Sequence, residues 1–163
     1  MARIATLVTA ALLSLLLCAQ VALAEEVETD SFTLTIPQGW QKVVAQEQGV
    51  YILMLQKTDS TQALSLIIGP ASLSARQLVE QYKTKFEQSG FICSQPVAKG
   101  DTWTLEFSSQ EQGLYGQGYT TSDGVKSSIF MLMAPAKDSL LQLKDFLKAN
   151  FKALEPKLFP ASF

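Results

Sequence analysis

Two stretches of this chain leave little freedom in the choice of fold. Val50-Tyr51-Ile52-Leu53-Met54-Leu55 and Ile129-Phe130-Met131-Leu132-Met133 are apolar at every position. Successive side chains of a strand point to opposite faces, so each stretch presents apolar groups on both sides and asks for cover on both. The rest of the sequence reads as strands extending a sheet around these two, with helices to cover it.

Phe32-Thr33-Leu34-Thr35-Ile36 alternates apolar and polar, as a half-buried strand does, and Pro37-Gln38-Gly39 stops it before Trp40. Gln41–Gln46 reads as a short strand. Thr58–Thr61 is a polar turn that folds Val50–Lys57 onto Gln62–Ile68 as a hairpin. Ser74, with Gln77 three residues on, makes a capping box. Ala75, Leu78, Val79, Tyr82 and Phe86 then form one apolar helical stripe, and Gly90 supplies the stop. Phe91–Val97, Trp103–Phe107, Leu114–Thr121 and Val125–Ala134 read as further strands, the last two joined at Asp123-Gly124, a strong hairpin signal. In Lys137–Leu154 the apolar residues Leu140, Leu143, Leu147, Phe151 and Leu154 share one side, which predicts a second helix ended by Glu155-Pro156.

Most connections are too short for parallel crossovers. The expected fold class is α/β of the α+β kind: a single, largely antiparallel sheet of about six to seven strands covered by two amphipathic helices. An α/β/α sandwich supplies both covers; both helices on one face is the alternative.

The N-terminus stands apart. Arg3 is followed by a stretch from Ile4 to Ala24 without charge, and Ala22-Leu23-Ala24 places small residues where a signal peptidase reads. Residues 1–24 are read as a secretory signal peptide, 25–156 as a single α/β domain, and 157–163 as a C-terminal tail without periodicity. The protein is therefore expected to be exported, and periplasmic. An uncleaved leader acting as an anchor, or release outside the cell, are the alternatives. Cys18 follows Leu17 rather than the small residue a lipid-attachment signal uses.

Without the leader the chain carries twelve basic and fifteen acidic residues. That balance does not suit a nucleic-acid partner, whose phosphates call for a basic surface. One cysteine, Cys93, remains, so no internal disulfide forms, and its apolar neighbours read as a buried site. Histidine is absent, which removes Ser-His-Asp and Cys-His catalysis, histidine-bound zinc and the commonest general base. Asp101, Glu106 and Glu111 lie in neighbouring segments without the spacing of a calcium loop. No catalytic, cofactor-binding or metal-binding residue is expected, and no cofactor.

The segment Phe32–Trp40, an alternating strand closed by Pro-Gln-Gly-Trp, resembles the opening of the PsbP-like group, which takes in Mog-like and DcrB-like proteins. The order of hairpin, amphipathic helix, further strands and C-terminal helix is similar too. The resemblance implies a non-enzymatic scaffold that binds other macromolecules, without naming the partner.

Two features remain as a contact surface. Gly113–Tyr119 has no following helix and no Lys-Ser/Thr pair, so it is not a phosphate cradle. It reads as a glycine-relaxed edge strand presenting Tyr115 and Tyr119. Lys144, Lys148 and Lys152 recur every fourth residue as a basic stripe on the second helix, with Lys137 earlier, suited to an acidic partner or to peripheral contact with anionic lipid. The expected function is that of an exported, non-enzymatic accessory protein of the cell envelope engaging a protein partner. A carrier of a small ligand or lipid, with the apolar residues around Trp40 and Trp103 lining a pocket, is the alternative.

Overall fold

The computed structural model describes residues 24–163; apart from Ala24, the expected leader lies outside them. No helix among the described residues is long and apolar enough to cross a membrane.

Local sequence decides most elements. β1 (Glu25–Glu28) and β2 (Phe32–Ile36) pair with each other, and β2 turns Phe32, Leu34 and Ile36 fully inward. β3 (Trp40–Glu47), β4 (Val50–Lys57) and β5 (Ala63–Pro70) form a meander. Helix α1 (Ala75–Gln88) begins at the capping box: Ser74 Oγ accepts from the Gln77 N–H at 3.3 Å, while Gln77 Oε1 accepts from the Ser74 N–H at 2.9 Å. Gly90, at φ +84°, follows its last turn. The short strands β6 (Ile92–Cys93) and β7 (Val97–Lys99) come next, then β8 (Thr102–Ser109), β9 (Leu114–Ser122) and β10 (Lys126–Ala134). At the β9–β10 turn Asp123 Oδ1 accepts from the N–H groups of Lys126 at 2.7 Å and Val125 at 2.8 Å. These bonds hold the Asp123 carboxyl below the ordinary range. Helix α2 (Lys137–Asn150) and β11 (Phe151–Ala153) close the chain.

Every strand pairing is antiparallel. The large sheet has eight strands rather than six to seven, in the order β3-β4-β5-β10-β9-β8-β6 with β7 also on β8. A second, three-stranded sheet has the order β1-β2-β11. The layering is therefore not a simple α/β/α sandwich. One face of the large sheet is covered by α2 together with the small sheet, around Phe32, Leu34, Leu53, Leu66, Phe130, Leu132 and Leu147. The other face carries α1, whose contacts fall on β8 and β9. There Phe86 stacks on Phe107 with ring centroids 4.2 Å apart.

Three expectations change. The strand apolar on both sides and covered on both is β10, where Phe130 and Leu132 face one layer and Ile129 and Met131 the other, all buried. β4 lies next to the edge: Leu53 and Leu55 are buried, but Met54 on the opposite side is 48% exposed because α1 does not reach it. The second helix stops at Asn150 rather than at Leu154. Phe151 there turns extended and pairs with Leu34, which buries its ring against Phe32 at 5.4 Å. The expected tail is part of the core: Leu158 and Phe159 are buried, and Phe163 packs on Phe130 and Tyr119.

Candidate functional site

The rows of side chains crossing the inner face of the large sheet change character as they leave the core. One runs Leu55, Leu64, Leu132, Gln117, Glu106 by successive cross-strand pairs. The next pairs Ala134 with Tyr115 and Tyr115 with Ser108. The polar ends of both rows lie beside the first two turns of α2, which present Lys137, Leu140, Leu141 and Lys144. Between them is a cleft of about 560 Å³, closed at its far lip by Ile92, Cys93 and Ser94.

Its charge is uneven. Burial in the cleft lowers the Lys144 amine below the ordinary lysine range; Glu106 opposes that shift, and Lys99 and Lys148 add to it. Among the described residues neither Lys144 nor Lys137 has a carboxylate within ion-pair distance. Lys137 Nζ lies 5.8 Å from the centroid of the Tyr115 ring, a cation–π contact. Cys93 on the lip is half-buried, its thiol raised by that burial and by Glu87. Among the described residues no three acidic or cysteine side chains gather as a metal ion would need.

Of the residues expected to form a contact surface, Tyr115 and Lys144 meet in this cleft. The others do not. Tyr119 is only 3% exposed, beneath Phe163, and its hydroxyl has no hydrogen-bond partner among the described residues. Burial, with a smaller effect of Glu106, holds that hydroxyl well above the ordinary phenol range. Lys148 is engaged with Asp145 at 3.1 Å. Lys152 is not on the helix at all but in β11, opposite Thr33, so the three lysines form no continuous stripe.

β9 is not an edge strand either. It lies between β8 and β10 and is buried through most of its length. Its glycines serve close approach: a Cβ at Gly116 would meet the Phe107 ring at 2.1 Å, and one at Gly118 would meet Met131 Sδ at 2.9 Å. Trp40 stacks on Phe146 on the inner face, while Trp103 lies under Arg76. Trp103 shares its face with Leu105 and Phe107 beneath α1, so among the described residues the apolar surroundings of the two tryptophans lie on opposite faces of the sheet and form no common pocket. Glu106, Gln117 and Leu141 are site residues that α2 and the sheet bring together only in three dimensions. The spacing of Lys137 and Lys144, two helical turns apart, was the part of the signal present in the sequence.

A large antiparallel sheet with a helix on one face, and a helix plus a small sheet on the other, defines a class of small α+β domains. The chain is similar to the solution structure of cyanobacterial PsbP (CyanoP) from Synechocystis sp. PCC 6803. The TM-score is 0.55 and the identity 18%, over 83% of this chain and 95% of that one. No family model and no curated protein matches the sequence. The likeness is one of fold: the chain has the PsbP-like fold that Phe32–Trp40 led one to expect.

Proposed function

We propose that this is a non-catalytic accessory protein of the cell envelope, exported by its leader, which engages a protein partner through the cleft between α2 and β8–β9. The observation that carries the reading is Lys144, a half-buried lysine whose amine is partly desolvated in the cleft, offset in part by Glu106 but with no carboxylate within ion-pair distance among the described residues. Desolvating a charge without a direct ion pair costs stability, and a carboxylate from a partner would offset that cost with a charge-assisted bond. Leu140, Leu141 and Ile92 alongside would take an apolar neighbour of that carboxylate, and two of them are markedly exposed, Leu141 at 56% and Ile92 at 66%. An apolar anchor beside a desolvated charged contact is the usual make-up of an interface centre. The fold likeness to cyanobacterial PsbP and the missing histidine point the same way.

A photo-reactive amino acid at Leu141, introduced in the native source, tests this. It should join one reproducible partner, and the same probe at the exposed Val125 should not. The same set of abundant proteins from both positions would refute the reading.

A further inference from the structure

The opposite end of the molecule has a second surface, independent of the cleft. β3 is the outermost strand of the large sheet and β1 the outermost strand of the small one. The two open edges lie one above the other. Glu25 of β1 forms an ion pair with Lys42 of β3, and Glu28 and Gln46 line the same depression. The turn joining β3 to β4 has two residues, Gln48 and Gly49, both at positive φ. In such a hairpin the closing pair, here Glu47 and Val50, is hydrogen-bonded, and alternate pairs follow. Lys42, Val44 and Gln46 therefore direct their N–H and C=O groups outward, with no strand among the described residues to receive them. Val43 and Val44 are 56% and 45% exposed. Val43, paired with Met54, lies on the outer face that α1 leaves bare, and Val44, paired with Leu53, on the inner side.

An unpaired edge of eight residues with exposed valines is a template for another strand. The surrounding charge selects which strand. Glu28 and Asp30 line the depression against Gln46, Glu25 reaches β3 through Lys42, and the cations there are committed, Lys42 to Glu25 and Lys126 to Glu155. A second copy would set two acidic rims against each other, so the rim disfavours self-pairing. We infer that the β3 edge takes up an extended segment of another protein, in which apolar residues alternate with lysine or arginine. The apolar set would extend the Val43–Met54 face and the basic set would lie along the carboxylates, with main-chain bonds supplying the affinity.

The probe is a labelled peptide, acetyl-Lys-Val-Lys-Thr-Lys-Val-Lys-Thr-amide, with fluorescence anisotropy as the readout. It should bind, and its affinity should fall about tenfold between about 20 and 300 mM salt, as screening of exposed charges requires. The same sequence with Glu for Lys should not bind, nor should a peptide N-methylated at alternate residues. Val44→Pro should abolish binding without unfolding the protein, since proline is tolerated where the N–H points away from the sheet. Equal binding of the N-methylated or acidic peptide to the unaltered protein would overturn the inference, as would a dimer in sedimentation. No binding of the basic peptide at low salt would overturn it too.

Discussion

Gly116→Ala isolates the packing that keeps the candidate cleft and the α1 layer apart. The added Cβ would stand 2.1 Å from both Cε2 and Cζ of Phe107 and 2.9 Å from the Leu132 carbonyl oxygen. The ring has nowhere to go. It is stacked on Phe86 at 4.2 Å and meets Phe91 edge-on at 5.7 Å. The carbonyl belongs to β10, the best-covered strand. Overpacking a rigid site costs about 1–3 kcal/mol, and this one has two immovable neighbours, so we take the upper end. Replacing glycine within a strand returns about 0.5–1 kcal/mol of backbone entropy. The net expectation is a loss of about 2–2.5 kcal/mol. Gly118→Ala is the control: its nearest atoms are the Sδ and Cε of Met131, at 2.9 and 3.2 Å. That flexible side chain can move aside, so the change should lie within about 1 kcal/mol of neutral. Urea unfolding followed by circular dichroism measures both, and Phe107→Leu added to Gly116→Ala should restore part of the loss. Equal effects of the two alanines, or no recovery with Phe107→Leu, would refute the reasoning.

Phe159→Ala should cost about 3–5 kcal/mol, as for other buried aromatic truncations; an unchanged unfolding midpoint would mean the C-terminal residues do not contribute to the core. Glu155 accepts bonds from Lys126 at 3.0 and 3.1 Å and from Ser31 at 2.9 Å, and these hold its carboxyl below the ordinary range, the Lys126 bond most strongly. The unfolded chain therefore takes up this proton first as pH falls. The stabilisation is present above the ordinary glutamate range, near pH 4.3, and is lost as pH falls through the lower folded value. Glu155→Gln should flatten the acid limb of stability against pH, and an unaltered limb would show that these bonds carry no linkage. Ser74→Ala should cost about 1 kcal/mol by removing one arm of the α1 cap, read from thermal unfolding.

Much of the fold could be read from local chemistry because its signals are local. The Ser74–Gln77 box, Gly90 past the helix end, the Asp123-Gly124 turn and the alternation of Phe32–Ile36 and Trp103–Phe107 each act within a few residues. The small sheet could not be read this way. β1 has one apolar residue, Val27, among three glutamates, too few to show a period. β11 hides in a helical pattern because a spacing of four, as from Leu147 to Phe151, also satisfies a period of two. What separates the two readings is the pairing of Phe151 with Leu34, far away in sequence. The all-apolar run of β4 misled for a related reason: composition shows that a side chain can be covered, not that a helix of fixed length reaches it. Met54 is the residue left out. In the site, Lys144 was visible in the sequence as one of several lysines. Only the ending of α2 at Asn150 separates it from Lys152, and only the fold sets Glu106 and Tyr115 opposite it.

The proposed role of Lys144, a partly desolvated amine kept for a partner's carboxylate, has one direct test. Lys144→Met tests it with two readouts on one variant. The methionine keeps the stem's packing and removes the desolvated charge. A higher unfolding midpoint is expected, together with loss of the species that crosslinks through Leu141. A midpoint unchanged or lowered, with crosslinking intact, would contradict it.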